Sequence, residues 1–459
     1  MTADASRRAF LQRSSLLAMA GAAAPWAINL AAMSEAAAAT ATDYKALVCV
    51  FLYGGNDYGN TLVPYDDARY ALYQGMRPSL AYTQAQLAAT VLAPNVALTG
   101  GLQYAIAPEL APLLPLFNAG NLGVMLNVGT LVQPTTKAQY TSGATPLPPR
   151  LFSHNDQQSV WQSSSPEGAT SGWGGRMGDL FESGNGNAVF TCINVSGNAV
   201  YLSGKTATQY QVSTNGPVAL NGVAKPLFGS TACSAALQDL VTASRANVFE
   251  NEYTRITARS LSAGGTLGAA LAAGPVINTP FPAPGTNKLA DQLELVARMI
   301  STADTVGAKR QVFFVSMGGF DTHDGLATVH PGLLSSVAQA LSAFYAATVE
   351  LGVASQVTTF TASDFGRTLT ANDGSDHGWG SMHFMLGGAV NGGRYYGTPP
   401  VVANGGPDDV GQGRLLPSTS VDQYAATLGA WLGISDIDLL TVLPNLGNWN
   451  ASQRNLGFV

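Results

Sequence analysis

Acidic residues and histidines follow apolar segments of this chain, close to the points where those segments end. They lie in four glycine-containing motifs, GGND, GGFDTH, SDFGRT and SDHGWG. In chain order, these residues are Asp57, Asp321, His323, Asp364, Asp376 and His377. Carboxylates and neutral imidazoles that converge on one place form the ligand set of a divalent metal ion. The pattern therefore predicts a shared metal site, with zinc, calcium, magnesium or manganese as the candidate ion.

Each motif also has a simpler structural explanation when it is taken alone. GGND is a common turn sequence, and Asp321 and His323 could cap a following helix. Asp364 could form a salt bridge with Arg367, and His377 could be an ordinary loop histidine. The joint pattern favours a functional site, because the glycines beside each acid allow the backbone to approach a ligand closely.

The segment LFSHNDQQSVW adds two further candidates, Ser153 and His154. We expect Ser153 at the start of a helix that runs through Trp161, where backbone N–H groups favour an anion and make the hydroxyl easier to ionise. Ser153 is therefore either a nucleophile or a plain helix cap, and His154 either a metal ligand or a general acid. Arg367 could bind an anion through two parallel hydrogen bonds. His330 is expected on the surface.

The surrounding elements alternate between strand-like and helical patterns. Apolar runs of strand length occupy 46–57, 122–129, 189–197, 311–321, 356–366 and 383–388. Helical spacing of apolar residues occurs in 107–119, 234–262, 287–305, 331–351 and 420–433. Near-continuous apolar strands that alternate with helices predict an α/β fold with a doubly wound, mostly parallel sheet. Ligands of such folds bind at the carboxyl ends of the strands, where the acids and histidines would meet.

The chain divides into a short leader and one long domain. Residues 1–39 are interpreted as a signal peptide, and residues 40–459 as a single α/β domain. Within that domain, the polar region 198–230 is predicted to be a β-ribbon and loop insertion, and the Gly/Ala/Pro-rich region 263–286 a flexible connector.

The leader has the order of regions found in an export signal. Arg7 and Arg8 precede an apolar segment, and small residues around Ala39 form a cleavage zone. The paired arginines are typical of the twin-arginine route, so the twin-arginine (Tat) translocase is an expected partner and the periplasm or the medium the expected location. A membrane anchor is the alternative, but Pro25 and Asn29 make the segment a poor permanent span. The mature chain is predicted to have no membrane span.

Composition excludes one large class of partners. The 22 Lys and Arg residues are outnumbered by 28 Asp and Glu residues, for a net charge of −6. A mildly acidic chain without a basic run lacks the electrostatic footprint of a nucleic-acid-binding protein. Cys49 and Cys192 lie in apolar runs and are interpreted as core residues.

Taken together and in this order, the four motifs resemble those of an exported bacterial family known as domain-of-unknown-function family 1501. The resemblance extends from about residue 43 to 458. That family is grouped with the alkaline phosphatases and sulfatases, so the resemblance implies an alkaline phosphatase-like sheet with metals at the strand ends.

The resemblance also implies roles for individual residues. Asp57 would bind one metal ion, Asp364 would bridge or complete its site, and Ser153 would stand in the place of the nucleophile. The residues around the other metal ion would be Asp321, His323 and His377.

Two features depart from the phosphatase pattern. Phe365 follows Asp364 where a histidine is often found, and the spacing from Asp321 to His323 is short. A single metal ion, or a second site that uses His154, therefore stays open beside the two-metal arrangement.

The favoured hypothesis is an exported metal-dependent hydrolase of phosphate or sulfate esters. Its substrate would be a small anionic ester or an ester-bearing polymer such as a polysaccharide. The alternatives are a non-catalytic periplasmic accessory or binding protein on the same fold, and a metal-dependent oxidoreductase.

Overall fold

A computed structural model describes residues 41–459. The predicted signal peptide, with Arg7 and Arg8, lies outside the described residues. The strands are β1 Lys45–Leu52, β2 Leu62–Pro64, β3 Tyr104–Ile106, β4 Leu122–Gly129, β5 Cys192–Asn194, β6 Tyr210–Ser213, β7 Gly216–Pro217, β8 Arg310–Met317, β9 Val357–Ser363, β10 Ser381–Leu386, β11 Tyr395–Tyr396 and β12 Thr419–Ser420.

Thirteen α-helices accompany these strands in the described part of the chain. They are α1 Asp67–Met76, α2 Gln84–Leu87, α3 Leu114–Asn118, α4 Lys137–Ser142, α5 His154–Ser163, α6 Trp173–Phe181, α7 Asn221–Ala224, α8 Thr231–Thr242, α9 Val248–Ala273, α10 Lys288–Ser301, α11 Leu326–Glu350, α12 Val421–Leu432 and α13 Asp436–Val442.

Ten strands form one sheet in the order β11-β4-β10-β9-β1-β8-β5-β6-β7, with β12 also beside β4. The central strand β1 is parallel to both β8 and β9, whereas β10 is antiparallel to β9 and β4. The predicted α/β class with a mostly parallel sheet is confirmed. β2 and β3 form a separate two-stranded sheet.

Helices cover both faces of this sheet because its central strands are apolar on both faces. The even-numbered residues of β1 from Ala46 to Leu52 pack into a core with α10 and α11. The odd-numbered residues from Leu47 to Phe51 pack into a second core with α6 and α12. Burial of each valine, leucine or phenylalanine side chain among them stabilises the fold by about 1.5–3 kcal/mol. The near-continuous apolar run of β1 thus fits a strand between two helical layers.

The long helix α11 differs from its predicted bounds. Among the described residues it is long and apolar enough to cross a membrane, and half of its most apolar stretch is buried within the fold. It begins at Leu326, before the predicted start at Pro331. His330 is consequently fully buried in α11, so its predicted surface position is wrong.

The predicted connector 263–286 is also partly wrong. Helix α9 continues to Ala273, because the alanine-rich sequence favours helix and Ala263, Leu267 and Ala270 are buried on one face. Region 198–230 contains the β6–β7 hairpin and also the short helix α7. Cys49 and Cys192 are buried and free, in agreement with their interpretation as core residues.

Candidate metal centre

The carboxyl ends of the three central strands lie side by side. Leu52 at the end of β1 pairs with Met317 of β8 and with Ser363 of β9. The motifs GGND, GGFDTH and SDFGRT therefore leave the sheet at one edge, as predicted from the order of strands and helices. The fourth motif, SDHGWG, reaches the same edge through a bridge between Arg367 and His377.

Glycine allows these loops to approach each other. Gly54 has a φ of +115°, and a Cβ at this position would lie 2.3 Å from the backbone nitrogen of Asp321. A side chain there would push the GGND and GGFDTH loops apart. The backbone N–H of Gly54 also donates a hydrogen bond to Asp364 Oδ2 at 3.2 Å. The glycine thus brings two acidic loops within contact distance.

Two histidines and one carboxylate converge at this edge. The Nε2 atoms of His154 and His377 are 3.0 Å apart. Asp321 Oδ1 lies 3.3 Å from the first of these nitrogens and 3.2 Å from the second. His154 comes from the first turn of α5, while the other two residues come from loops after strands.

These separations suit the coordination of one metal ion. Two ligands that each lie about 2.05 Å from a zinc-sized ion are about 2.9 Å apart at a right angle and about 3.3 Å apart at a tetrahedral angle. All three distances within the His154, Asp321 and His377 group fall in this interval. The group could therefore bind a divalent ion with little rearrangement.

His323 brings a further ring nitrogen to the same group. Its Nε2 lies 2.9 Å from His377 Nε2 and 3.0 Å from Asp321 Oδ1. The side chains of His323 and Asp321 are 44% and 43% exposed, whereas those of His154 and His377 are about half as exposed. The cluster thus has a protected side and a side that a solute can reach.

Each imidazole is held through its other ring nitrogen. Nδ1 of His154 lies 2.6 Å from Asp364 Oδ2, and Nδ1 of His323 lies 3.1 Å from Asp376 Oδ1. Nδ1 of His377 lies 2.6 Å from the carbonyl oxygen of Phe152. Carboxylate and carbonyl oxygens only accept hydrogen bonds, so each Nδ1 carries the proton and donates it.

It follows that a neutral histidine in this cluster presents its Nε2 lone pair to its neighbours. The Nε2 lone pairs of His154 and His323 then each lie 2.9–3.3 Å from His377 Nε2 and Asp321 Oδ1, an arrangement that a cation between these atoms would stabilise. Donation from Nδ1 to a carboxylate or carbonyl is the usual outer contact of a metal-bound histidine. The donor set therefore fits a divalent metal ion.

Electrostatics favours positive charge at this place. The hydrogen bond to Asp364 raises the pKa of His154 above its ordinary value, against the opposing effect of burial. Burial lowers the pKa of His377, which keeps that ring neutral at neutral pH. Burial would raise the pKa of Asp321, but the hydrogen bond and charge of Arg367 hold it below the ordinary value. Asp321 is therefore an anion ready to bind a cation.

The profile of a protein family described as "Protein of unknown function (DUF1501)" matches residues 44–442. The chain belongs to this family. The resemblance carried by the four motifs is thereby confirmed. A comparison with curated proteins finds no match.

Solved structures provide a few distant similarities. Ps i-CgsB in complex with k-i-k-neocarrahexaose is 11% identical, with a TM-score of 0.36 over 89% of this chain and 77% of that chain. A further structure of Ps i-CgsB is 11% identical, with a TM-score of 0.35 over 89% and 77%. A Bacteroides thetaiotaomicron protein, from a core genetic locus for the metabolism of multiple glycosaminoglycans, is 11% identical with a TM-score of 0.35 over 86% and 74%.

In this DUF1501 protein, Asp57 does not belong to the cluster. Its two carboxylate oxygens each accept a hydrogen bond of 2.7 Å from the guanidinium of Arg77, and Oδ1 also accepts from the backbone N–H of Asn60. Both charged side chains are fully buried. Burial would raise the pKa of Asp57, but Arg77 lowers it to about 2. The predicted role as a metal ligand is therefore wrong, because the carboxylate already forms a buried ion pair.

Arg367 does not have the role predicted for it either. Its guanidinium is buried and donates hydrogen bonds to the carbonyl oxygens of Gly54 and Ser375 and, at 2.6 Å, to Asp321 Oδ1. With these N–H groups engaged, Arg367 cannot bind an anionic substrate in the predicted two-bond geometry. It pairs with Asp321, not with Asp364, and fixes the orientation of that carboxylate.

Two of the predicted metal ligands instead hold histidines in place. Asp364 Oδ2 accepts hydrogen bonds from His154, Gln158 and Gly54, while its Oδ1 is buried without a partner in the described part of the chain. Asp376 contacts the Nδ1 of His323. Neither carboxylate is among the converging donor atoms, so each is a partner of a ligand.

Ser153 lies directly before His154, as the sequence requires, but its hydroxyl is already engaged. It donates to Asp156 Oδ2 at 3.0 Å and forms no hydrogen bond with the N–H groups of the helix start. The nucleophile assignment therefore gains no support from this geometry.

Several residues of the site and its surroundings had no signal in the sequence. Phe152 has a φ of 74°, which is unusual for an aromatic residue, and its carbonyl oxygen is the partner of His377. Arg77 has no motif around it, and nothing in LFSHNDQQSVW distinguishes Gln158 from its neighbours. The buried His330 contacts Asn56 Oδ1 through its Nε2 at 3.0 Å, and burial lowers its pKa to about 4. Neither Phe152 nor Arg77 differs in residue type or spacing from many structural residues, so only their spatial position reveals them.

Proposed function

We propose that this protein binds a divalent metal ion through His154, Asp321 and His377 and hydrolyses phosphate or sulfate esters there. The observation that supports the proposal is the convergence of these donor atoms, each held from behind by a hydrogen-bond partner. When bound, the ion would act as a Lewis acid toward an ester oxygen and lower the pKa of a water molecule.

The chain's own residues would contribute orientation and access. Asp364 and the Phe152 carbonyl fix the rings of His154 and His377, and Arg367 fixes the carboxylate of Asp321. Such partners preorganise ligands, which reduces the reorganisation needed when substrate arrives. The exposed side of the cluster, at Asp321 and His323, is where an anionic ester or an ester-bearing polymer would approach.

His323 has the contacts to exchange a proton with a substrate on this side. It is the most exposed of the clustered histidines, and Asp376 holds its Nδ1. An imidazole at the exposed edge of a metal cluster is placed to act as a general acid or base toward a bound substrate.

A non-catalytic metal-binding protein is the second candidate function. The specific observation in its favour is the fourth donor, His323, because four protein ligands are typical of closed, structural metal sites. Under this alternative, His323 would occupy the position that a hydrolase leaves open for water or substrate.

An oxidoreductase is the third candidate. Two histidines and one carboxylate with open positions are also the ligands of non-haem iron enzymes. Iron in the purified protein, together with visible absorbance, would favour this alternative over hydrolysis.

The hydrolase proposal is tested with chromogenic phosphate and sulfate esters. We expect turnover that chelation abolishes and that one added divalent metal restores. Ser153→Ala should change turnover by only a few-fold and reduce stability by about 1 kcal/mol, the net contribution of one hydrogen bond, because its hydroxyl bonds only to Asp156. Asn155→Ala, on the exposed side of the same helical turn, is the matched control.

Two outcomes would contradict this reasoning. A loss of several orders of magnitude in Ser153→Ala, with unchanged metal content, would identify Ser153 as the nucleophile. Stoichiometric metal without turnover on any ester of the panel would favour the non-catalytic alternative.

We also propose that the protein is exported to the periplasm or the medium by the twin-arginine route. Replacing both Arg7 and Arg8 by Lys should leave the precursor in the cytoplasm, because the paired arginines form the recognised feature of this signal. Arg13→Lys, in the same leader, is the control and should be exported normally. Normal export of the double variant would refute the proposal.

A further inference from the structure

Exposed apolar side chains are concentrated in one part of the fold. Eight of the sixteen large apolar residues exposed within residues 41–459 lie between positions 218 and 256. They are Val218, Leu220, Phe228, Leu240, Val248, Phe249, Tyr253 and Ile256, between 41% and 91% exposed. This region is far from the metal cluster in sequence and contributes none of its side chains, so the proposed function does not explain the patch.

Six of these residues form one continuous surface. One depression is lined by Val218 and Leu220, which lie just before α7, and by Tyr253 and Ile256 of α9. A neighbouring depression is lined by Leu240, Phe249 and Tyr253, and the two share Val241 as well as Tyr253. The α9 surface is therefore defined as Val218, Leu220, Leu240, Phe249, Tyr253 and Ile256.

The α9 surface is larger than a monomer normally exposes to water. At about 200 Å² for a fully exposed large side chain, these six residues expose on the order of 700 Å². The largest apolar patch of a typical monomer is about 300–600 Å². A stable interface of standard size buries about 800 Å² on each partner, which this surface nearly supplies from apolar side chains alone.

The pattern along α9 complements itself in the antiparallel direction. Phe249, Tyr253, Ile256 and Ser260 recur at intervals of four, three and four residues, the spacing of a helix seam. When two copies of α9 are antiparallel, Tyr253 lies opposite Ile256 and Phe249 lies opposite Ser260. Next to Ser260, the first depression is lined by Gly264, Gly265 and Gly268, which leave room for an aromatic ring. This part of the depression is called the small-residue groove. The helix thus has a protruding ring and a place to receive it.

The charges beside the seam have the same self-complementarity. Glu252 and Arg259 are exposed and lie on the same flank of the apolar stripe, seven residues apart. Residues on the same flank face each other across an antiparallel pair of helices. Glu252 of one copy therefore lies opposite Arg259 of the other, and the two-fold axis repeats this pair. A partner of unrelated sequence would match this arrangement only by chance.

We propose that two copies of this chain form a symmetric dimer through the α9 surface. The two α9 helices pack antiparallel about an axis that passes between Tyr253 and Ile256. In this dimer, Phe249 of each copy is buried in the small-residue groove of the other.

The dimer is tested by measuring the mass of the folded protein in solution over a range of concentrations. We expect twice the monomer mass for the unmodified protein and dissociation of Phe249→Glu. Removal of a buried aromatic contact weakens association by more than about 30-fold, and the two-fold axis applies the change twice. The fold should be unaffected, because Phe249 is 86% exposed and a glutamate suits the first turn of a helix. Val276→Glu, at an 81% exposed position outside the surface, is the control.

Charge reversal distinguishes the proposed pairing from nonspecific association. Glu252→Arg should weaken the dimer, because it places two arginines opposite each other at both symmetric positions. The double variant with Glu252→Arg and Arg259→Glu should restore it. A monomer at every concentration, a dimer that persists in Phe249→Glu, or no rescue by the double reversal would each overturn the proposal. Capture of a different protein or of lipid vesicles by a monomeric chain would assign the surface to that partner instead.

Discussion

Replacement of His154 or His377 by alanine is expected to abolish the divalent-metal binding that we propose for this site. Each substitution deletes one of the three converging donor atoms, and the two donors that remain hold a divalent ion much more weakly. Loss of a ligand's hydrogen-bond partner alone lowers metal affinity by roughly 10- to 100-fold, so loss of the ligand itself should exceed this range. Elemental analysis of the folded variants, with titration of the metal-free protein, measures the effect. Ester turnover should disappear together with the metal.

The controls separate metal binding from folding. Asn155→Ala is exposed and next to His154, and it should retain full metal content. Thermal unfolding of the metal-free proteins should show only a moderate loss of stability in His154→Ala, because the buried Asp364 keeps the hydrogen bonds from Gln158 and Gly54 and the two apolar cores are untouched. Unmodified protein without stoichiometric divalent metal, or His154→Ala with full metal content, would refute the site.

Titration of the metal-free protein with metal also determines whether His323 is a ligand. Asp376 is exposed and contacts the described cluster through His323 Nδ1. If His323 binds the metal, Asp376→Ala should lower the affinity by roughly 10- to 100-fold. If affinity is unchanged while turnover falls, His323 acts on the substrate.

Replacement of Arg77 by methionine will lower the free energy of unfolding by about 3–5 kcal/mol, the loss expected when one partner of a buried ion pair is removed. Arg77 pairs with Asp57 and also donates to the carbonyl oxygens of Thr368 and Leu369, so it joins the GGND loop to the SDFGRT loop. The variant would leave the carboxylate of Asp57 buried without its counter-charge. Chemical denaturation at neutral pH measures the difference.

The stability of Arg77→Met is compared with that of a double variant and with that of a variant in an exposed ion pair. Asp57→Asn together with Arg77→Met should be more stable than Arg77→Met alone, because no buried charge is left unpaired. Lys309→Met removes an exposed partner of Asp304 at 3.8 Å and should change stability by less than about 1 kcal/mol. A small loss of stability in Arg77→Met, accompanied by a loss of metal, would return Asp57 to the metal site.

The pH dependence of this effect has a definite sign. Arg77 lowers the pKa of Asp57 from 3.8 to about 2 in the folded state. A group whose pKa is lowered by folding stabilises the protein above its unfolded pKa and loses this contribution as the pH falls through its folded pKa. The contribution of Asp57 to the stability of the unmodified protein should therefore be full above about pH 4 and shrink as the pH falls toward 2. In Arg77→Met, burial raises the pKa of the unpaired Asp57, so the stability difference between the two proteins should grow as the pH rises above 4.

The sheet, and the edge of it where acids and histidines follow the strands, were predictable because both depend on short-range sequence patterns. β1, β8 and β9 are near-continuous apolar runs, which suit strands covered on both faces. Parallel strands must return to the same edge, so the residues that follow them must lie near each other. For this reason, the sequence predicts Asp321, His323 and Asp364 at one edge, whereas His377 follows no parallel strand directly and reaches this edge through the bridge to Arg367. Residues 263–273 depart from the predicted connector because their alanines favour helix, although their glycines are typical of a flexible segment.

Sequence alone determined which residue types meet at the strand ends, because strand order and loop position follow from local pattern. Only the tertiary structure decided which of these residues face one another. Asp57 and Asp321 both follow apolar strands, yet the side chain of Asp57 meets Arg77 in the interior, whereas that of Asp321 meets the imidazoles. The difference depends on an arginine twenty residues away and on backbone angles such as that of Phe152. The direction of a side chain at a loop depends on long-range packing and torsions of a few residues, and no periodic pattern records them.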